Sequence, residues 1–341
     1  MPQSFFLVAV LVGSVSQLWP QRAEADGPIT TGLVQQLLVD AVPLPPKSPT
    51  ELRANGGFSP IPVLSVPKSV IFRPNLTYAR YPKTAVKLDL FLPKDSGKEL
   101  RPGLILIHGG AWRAGSKADY RYYGGQFAER GYVTVSINYR LVPEHPFPAC
   151  LQDCKTAVRW MKAQAKDFRI DPEKIAVFGG SAGGHLALMV GYTDTPEFEG
   201  TGGHPEQNSR VAAVVDLYGP TDMTVPEIQR FDFVAEMFNQ FLGATIAERP
   251  ELYRLASPIT HVSDQCPPTL VIHGTADSMV PITQSDALVE KLKDQGIPYV
   301  YDRIPDWPHA MDFTQPINDR VLWMMERFLA NALKTSEIAR Q

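Results

Sequence analysis

Cysteine is scarce, with three residues in a chain of 341, too few for the disulfide framework of small secreted scaffolds. Cys150 and Cys154 stand four apart on an expected helix and have no His or Cys partner at zinc-ligand spacing, so they read as small buried hydrophobes and no metal site is expected. Charge of one sign is also missing. Lys and Arg number 33 against 36 Asp and Glu, the formal charge is -3, and no long run of like charges occurs. That balance leaves no electrostatic footprint for nucleic acid. There is no fixed-period repeat, which excludes a solenoid. Nor is there an uninterrupted apolar stretch of the ~20 residues that a membrane-spanning helix needs.

What is present is ample apolar material. Hydrophobic residues make up 44% of the chain, enough for one large α/β domain or two small ones. The opening run "SFFLVAVLVGSVS" is apolar, and Ala23-Glu24-Ala25 fits a small-x-small cleavage site. This predicts a secretory leader over 1–25 and a secreted or periplasmic protein. Residues 26–68 are rich in proline ("PLPPKSPT", "SPIPVLSVPKS") and predict a loosely packed lead-in with a helical turn or two near 31–40. Asn75 opens an N-x-T sequon, which matters only in a glycosylating host.

From 69 to 335 the pattern is regular. "VKLDLFL" alternates as a strand, and "GLILIHGG" is a continuous aliphatic run ending in glycines, as expected of a strand buried on both faces. "YVTVSIN", "KIAVF", "VAAVVDLY", "TLVIHG" and "YVYDRI" follow, separated by expected helices near 149–166, from 182, near 284–295 and near 316–334. Alternating strands and helices predict an α/β fold: a mostly parallel sheet of about eight strands covered on both faces, with a small helical insertion over 222–262. Ligands of such sheets bind beyond the carboxyl ends of the strands. The glycines and polar groups gather there, in "HGGAW", "NYRLVPE", "GGSAGG", "GTADSMVP" and "PDWPHAMD".

Gly179-Gly180-Ser181-Ala182-Gly183 fits G-x-S-x-G between a strand and an expected helix, the context of a nucleophile elbow. Very small residues two before and two after the serine let strand and helix pass, and the helix N-terminus beginning at Ala182 favours developing negative charge. A serine needs a base, and the base an orienting carboxylate. Only His309 of the seven histidines lies beyond the later strands, in the loop before the last helix; the alternative is a plain surface-loop histidine. Asp277, in the short turn after "TLVIHG", is the candidate carboxylate, unless it is a turn residue bonding its own backbone. Asp302 lies inside a strand, and Asp306 shares the histidine's loop. Gly109 and Gly110, with the N–H of Ala182, are candidate oxyanion donors. His108 is assigned to orienting that loop. Trp112 either covers the acyl or alcohol group of a substrate or packs. His273 reads as a buttress of its turn, and His185 as a packing residue.

"HGGAW", "INYRLVPEHPFPA", "DPEKIAVFGGSAGGHLALM", "SPITHV", "HGTADSMVP" and "PHAMDF" resemble the α/β-hydrolase carboxylesterases over about residues 75–334. The nearest likeness is to the bacterial bifunctional feruloyl and acetyl-xylan esterases. "YRLVPEHPFPA" also resembles the related hormone-sensitive-lipase branch, which has H-G-G-G and an acidic residue before the serine, where Ala111 and Gly180 stand here. The resemblance implies Ser181, Asp277 and His309 as nucleophile, acid and base, and Gly109, Gly110 and Ala182 as oxyanion donors. It implies hydrolysis of a small-molecule or polysaccharide ester, with no metal or organic cofactor. An arylformamidase-like amidase or peptidase on the same scaffold is an alternative, as is a non-catalytic binding protein built on a hydrolase fold. Oligomeric state is not legible.

Overall fold

Apolar runs that end in glycine become strands whose carboxyl ends share one edge. The computed structural model describes residues 66–94 and 97–334. The expected leader over 1–25, the lead-in up to 65 and its helical turn near 31–40 lie outside the described residues. The strands are β1 (Val70–Tyr81), β2 (Thr84–Pro93), β3 (Arg101–Ile107), β4 (Val133–Ile137), β5 (Ile170–Gly180), β6 (Ala213–Leu217), β7 (Thr269–Gly274) and β8 (Tyr299–Ile304). They form one open sheet in the order β1-β2-β4-β3-β5-β6-β7-β8. β2 runs antiparallel to both β1 and β4, and every later pairing is parallel. This is the α/β-hydrolase fold expected of the sequence.

Six helices of nine residues or more cover the sheet among the described residues: α1 (Arg121–Glu129), α2 (Ala149–Ala163), α3 (Ala182–Tyr192), α4 (Asp232–Leu242), α5 (Thr283–Asp294) and α6 (Gln315–Ala332). The two-residue period of a strand sorts side chains into two layers. Along β3, Leu104 and Leu106 face Tyr123 and Phe127 of α1 and Val321 and Met325 of α6. Ile105 and Ile107 point the other way, into the layer built from Leu151 and Val158 of α2, Leu186 of α3 and Leu288 of α5. The strands between are buried throughout, as in β4, β6 and β7.

Two elements escape the sequence pattern. β1 contains Pro74 and Asn75, which read as a break. The strand tolerates them through a bulge between Arg73 and Leu76, with Asn75 at φ 62 and its N–H bonded to Asp89 Oδ1 at 2.9 Å. α1 carries Gly124-Gly125 at its centre, a pair that signals a turn when read alone; Gly124 lies so close to the Phe91 ring that a Cβ would meet it at 2.6 Å. Between β6 and β7 the chain forms α4, a short helix Pro250–Leu255 and two single turns. Phe238 and Phe241 of α4 are buried in the same layer as α3.

Asp216 is a fully buried carboxyl in β6. Its Oδ1 accepts the Gly219 N–H at 3.0 Å, and Oδ2 has no partner among the described residues. Burial pushes its pKa up to about 7, against the lowering effect of the Gly219 bond. A carboxyl raised in the folded state contributes stability that is complete below its unfolded value and is lost as pH rises through the folded one. Asp216 should therefore contribute a fall in the thermal midpoint between about pH 4 and 7. Calorimetry of Asp216→Asn, which cannot ionise, should give a shallower fall over this range whatever its absolute stability; an equal slope would refute the assignment.

Candidate active site

Ser181 occupies the single residue between β5 and α3, at φ 56 and ψ -123. A non-glycine residue held there costs about 1–3 kcal/mol and persists only where its surroundings over-determine it. Here the Ser181 N–H donates to Leu217 O at 2.8 Å, and its carbonyl accepts the His185 N–H at 3.0 Å, the first bond of the helix. Strand and helix then pass at backbone contact. A Cβ on Gly179 would strike the Gly183 carbonyl, and one on Gly183 would strike the Ile107 carbonyl. The requirement for very small residues on both sides of the serine thus has a steric cause on each side.

His309 comes from the loop after β8 and Asp277 from the turn after β7. His309 Nε2 lies 2.9 Å from Ser181 Oγ, and its Nδ1 lies 2.6 Å from Asp277 Oδ2. With Asp277 accepting, Nδ1 carries the proton and Nε2 presents a lone pair to the serine hydroxyl. Asp277 is held from every side. Oδ1 accepts the N–H groups of Met279 at 2.8 Å and Val280 at 2.9 Å. Oδ2 also meets His273 Nε2 at 3.2 Å. Burial alone would raise the carboxyl's pKa; the bonds from His273 and His309 outweigh it and hold the group well below the usual carboxylate range. His273 is fixed in turn, with Nε2 donating to Val280 O at 2.9 Å and Nδ1 accepting from Ser285 Oγ at 2.7 Å. The other carboxylates near His309 in sequence are elsewhere: Asp302 is paired with Arg320 at 2.7 Å, and Asp306 is exposed.

The loop after β3 brings Gly109 against the serine, with a Cβ there falling 3.4 Å from Ser181 Cβ. Gly110, Ala111 and Trp112 all have positive φ (108, 51 and 58), so the loop coils tightly after Gly109. The N–H groups of Gly109, Gly110 and Ala182 donate to no other group among the described residues. His108 steadies this loop: Nδ1 donates to Gly109 O at 2.7 Å, and the ring stacks on Tyr139 at 4.3 Å between centroids.

Trp112 and His185 form a pair that residue spacing does not disclose. Trp112 Nε1 donates to His185 Nδ1 at 3.2 Å, and His185 Nε2 donates to Ala256 O at 2.7 Å. Trp112 also stacks on Phe241 at 4.0 Å. Burial lowers the His185 pKa to about 4, so the ring is neutral and keeps the acceptor that Trp112 requires. His185 therefore links the helix that carries Ser181 to the glycine loop, where packing alone was expected.

Two cavities of unequal size meet at Ser181 and His309. One, of about 50 Å3, is lined by Ala111, Trp112, Ala182, Pro220, Val234, Met237, Phe238, Met279 and Val280. The other, of about 390 Å3, runs past Gly109, Gly110, Arg113, Asp119, Tyr120, Tyr218, Ala310 and Phe313. The arrangement can move a proton from Ser181 Oγ to His309 Nε2 beside unpaired N–H donors, with space for a different group on each side.

Residues 88–292 match the family model BD-FAE. The chain is similar to Esterase LipC of Mycobacterium tuberculosis, 39% identical over 233 residues that cover 66% of this chain and 57% of LipC. It is 34% identical over 262 residues to the probable carboxylic ester hydrolase LipM of the same organism, covering 74% of this chain and 59% of LipM. The chain thus spans somewhat over half the length of these relatives. A solved structure described as a truncated form of carbohydrate esterase from gut microbiota superposes with a TM-score of 0.66 at 28% identity, covering 77% of this chain and 96% of that one.

The geometry predicts that a fluorophosphonate will label Ser181, located by mass spectrometry of the modified peptide. Asp277→Asn should slow labelling by on the order of 10^3–10^4-fold, because an amide donating to Nδ1 leaves the proton on Nε2. Labelling of Ser181→Ala at the wild-type rate would overturn the assignment.

Proposed function

The chain belongs to the BD-FAE family, and on that premise we propose that it is a serine carboxylic-ester hydrolase. The observation that carries the proposal is the contact series Asp277 Oδ2 to His309 Nδ1 to His309 Nε2 to Ser181 Oγ, at 2.6 and 2.9 Å across the ring. Ser181 Oγ attacks the ester carbonyl while His309 Nε2 takes its proton. The carbonyl oxygen becomes an oxyanion facing the N–H groups of Gly109, Gly110 and Ala182, where one such donor is worth about 3–4 kcal/mol. Asp277 keeps the imidazolium oriented and offsets its charge. The imidazolium then protonates the leaving alcohol, the tetrahedral adduct collapses to an acyl-serine, and water cleaves that ester with His309 acting first as base and then as acid. No step calls for a metal or an organic cofactor.

The two cavities support a division of the substrate. Proton delivery requires the alcohol oxygen near His309, and the loop that carries His309 also supplies Ala310 and Phe313 to the wide cavity. The alcohol then takes the wide side and the acyl group the cavity of about 50 Å3. An apolar cavity that holds benzene measures roughly 150 Å3, so this side suits an acetyl group better than a feruloyl one. An acetylated polysaccharide fits that division, and the similarity to a carbohydrate esterase supports it. The secretory leader expected over 1–25 supports export to where such a polymer would be met.

Purified enzyme should hydrolyse p-nitrophenyl acetate faster than its hexanoate and should release acetate from acetylated xylan. Methyl ferulate should be a poor substrate; rapid turnover of it would place the acyl group in the wide cavity instead. Ser181→Ala should reduce kcat by roughly 10^4–10^6-fold with little change in thermal midpoint. Strong activity on small amides with none on esters would overturn the ester reading. N-terminal sequencing of protein recovered outside the cytoplasm should begin at Asp26, and an intact Met1 there would refute cleavage.

A further inference from the structure

Behind His309 lies a second carboxylate that the serine chemistry does not use. Asp312 is fully buried in the turn Met311–Phe313. Its Oδ1 accepts the hydroxyl of Tyr218, and its Oδ2 that of Tyr123 at 3.4 Å. From α6, Asn318 Nδ2 donates to Tyr123 Oη at 2.9 Å and to the Asp312 carbonyl at 3.0 Å.

Tyr218 is the connecting member. It is a non-glycine residue at φ 43, and its ring stands edge-on to the His309 ring, with centroids 4.7 Å apart. The residue before it, Leu217, supplies the carbonyl that holds the Ser181 N–H. One aromatic side chain thus touches the imidazole with its ring and the buried carboxyl with its hydroxyl.

We propose that Asp312 is a positioning residue for proton transfer at Ser181, fixing the His309 ring through Tyr218 and supporting with its charge the imidazolium that forms. The proposal rests on His309 acting as the base. The titratable groups facing Asp312 are Tyr218 from the segment after β6, Tyr120 and Tyr123 from α1 and the residue before it, and His309 from its own loop. Burial raises all three phenols far above their ordinary value, so they stay neutral and act as donors. Burial also pushes the Asp312 pKa up to about 6, while the Tyr218 hydroxyl and the His309 charge pull it down. The carboxyl therefore ionises near the pH at which an imidazole titrates. The sign follows directly: an ionised Asp312 favours protonated His309 and raises its midpoint, so removing the charge lowers it.

The test is the His309 midpoint in the full-length, histidine-labelled protein, followed by NMR, with the resonance assigned by its loss in His309→Gln. Asp312→Asn should lower this midpoint by roughly 0.5–1 pH unit, and the acid limb of kcat/KM for p-nitrophenyl acetate should move by the same amount. Tyr218→Phe should shift it in the same direction by less, because the acid loses a bond that favours its ionised form. An unmoved midpoint in folded Asp312→Asn overturns the proposal; if that variant does not fold, an unmoved midpoint in Tyr218→Phe does so. Failure of the wild type to hydrolyse esters would remove the base reading while leaving an NMR shift intact. Normal hydrolysis with an unmoved midpoint would remove this proposal alone.

Discussion

The passage of β5 into α3 at backbone contact is the constraint on which the rest depends. Gly179 and Gly183 let the Ile107, Gly179 and Gly183 backbones touch, and Ser181 must then take a left-handed conformation that lifts its side chain clear of the sheet. Two backbone hydrogen bonds, to Leu217 and from His185, hold the strained residue from both sides. The strain of about 1–3 kcal/mol is small against the burial of the surrounding strands, so it is borne locally and not relaxed. What results is a hydroxyl placed at a helix N-terminus, where negative charge is favoured.

Electrostatically, burial has opposite consequences for different carboxyls in this core. Asp277 accepts four hydrogen bonds, two from backbone N–H groups and two from imidazoles, and is held ionised. Asp216 accepts one, from Gly219, and burial prevails over it. Asp312 stands between them, accepting from two phenols. The number and kind of donors decide which carboxyl carries charge at neutral pH, and only the fully supplied one faces His309 Nδ1.

How far this could be read from the chain depended on where the signal lay. The sheet was legible because strands buried on both faces are aliphatic runs, and the meeting of Ser181, His309 and Asp277 because each follows one of those runs at a fixed place in the topology. Ser181, Asp277 and His309 lie 96 and 32 residues apart, yet each is a polar residue of a strand-end loop. β1 and α1 were hidden because local breakers, Pro74-Asn75 and Gly124-Gly125, are accommodated by a bulge and by the Phe91 ring, which are tertiary facts. The Trp112–His185 and Tyr218–Asp312 pairs were invisible for a related reason. They join residues 73 and 94 positions apart, with nothing in the spacing to distinguish them from ordinary core residues.

The order of the strands has a consequence for how the molecule fluctuates and how it can diversify. β5 lies inside the sheet, flanked by β3 and β6, while β1 and β8 form the borders. Fraying from either border must cross several paired strands before it reaches Ser181, whereas His309 follows the border strand β8 and lies nearest an edge of the sheet. Part of the wall of the smaller cavity comes from α4, a connection that belongs to no strand of the sheet. Inherited changes in α4 can therefore reshape that wall without replacing Ser181, Asp277 or His309.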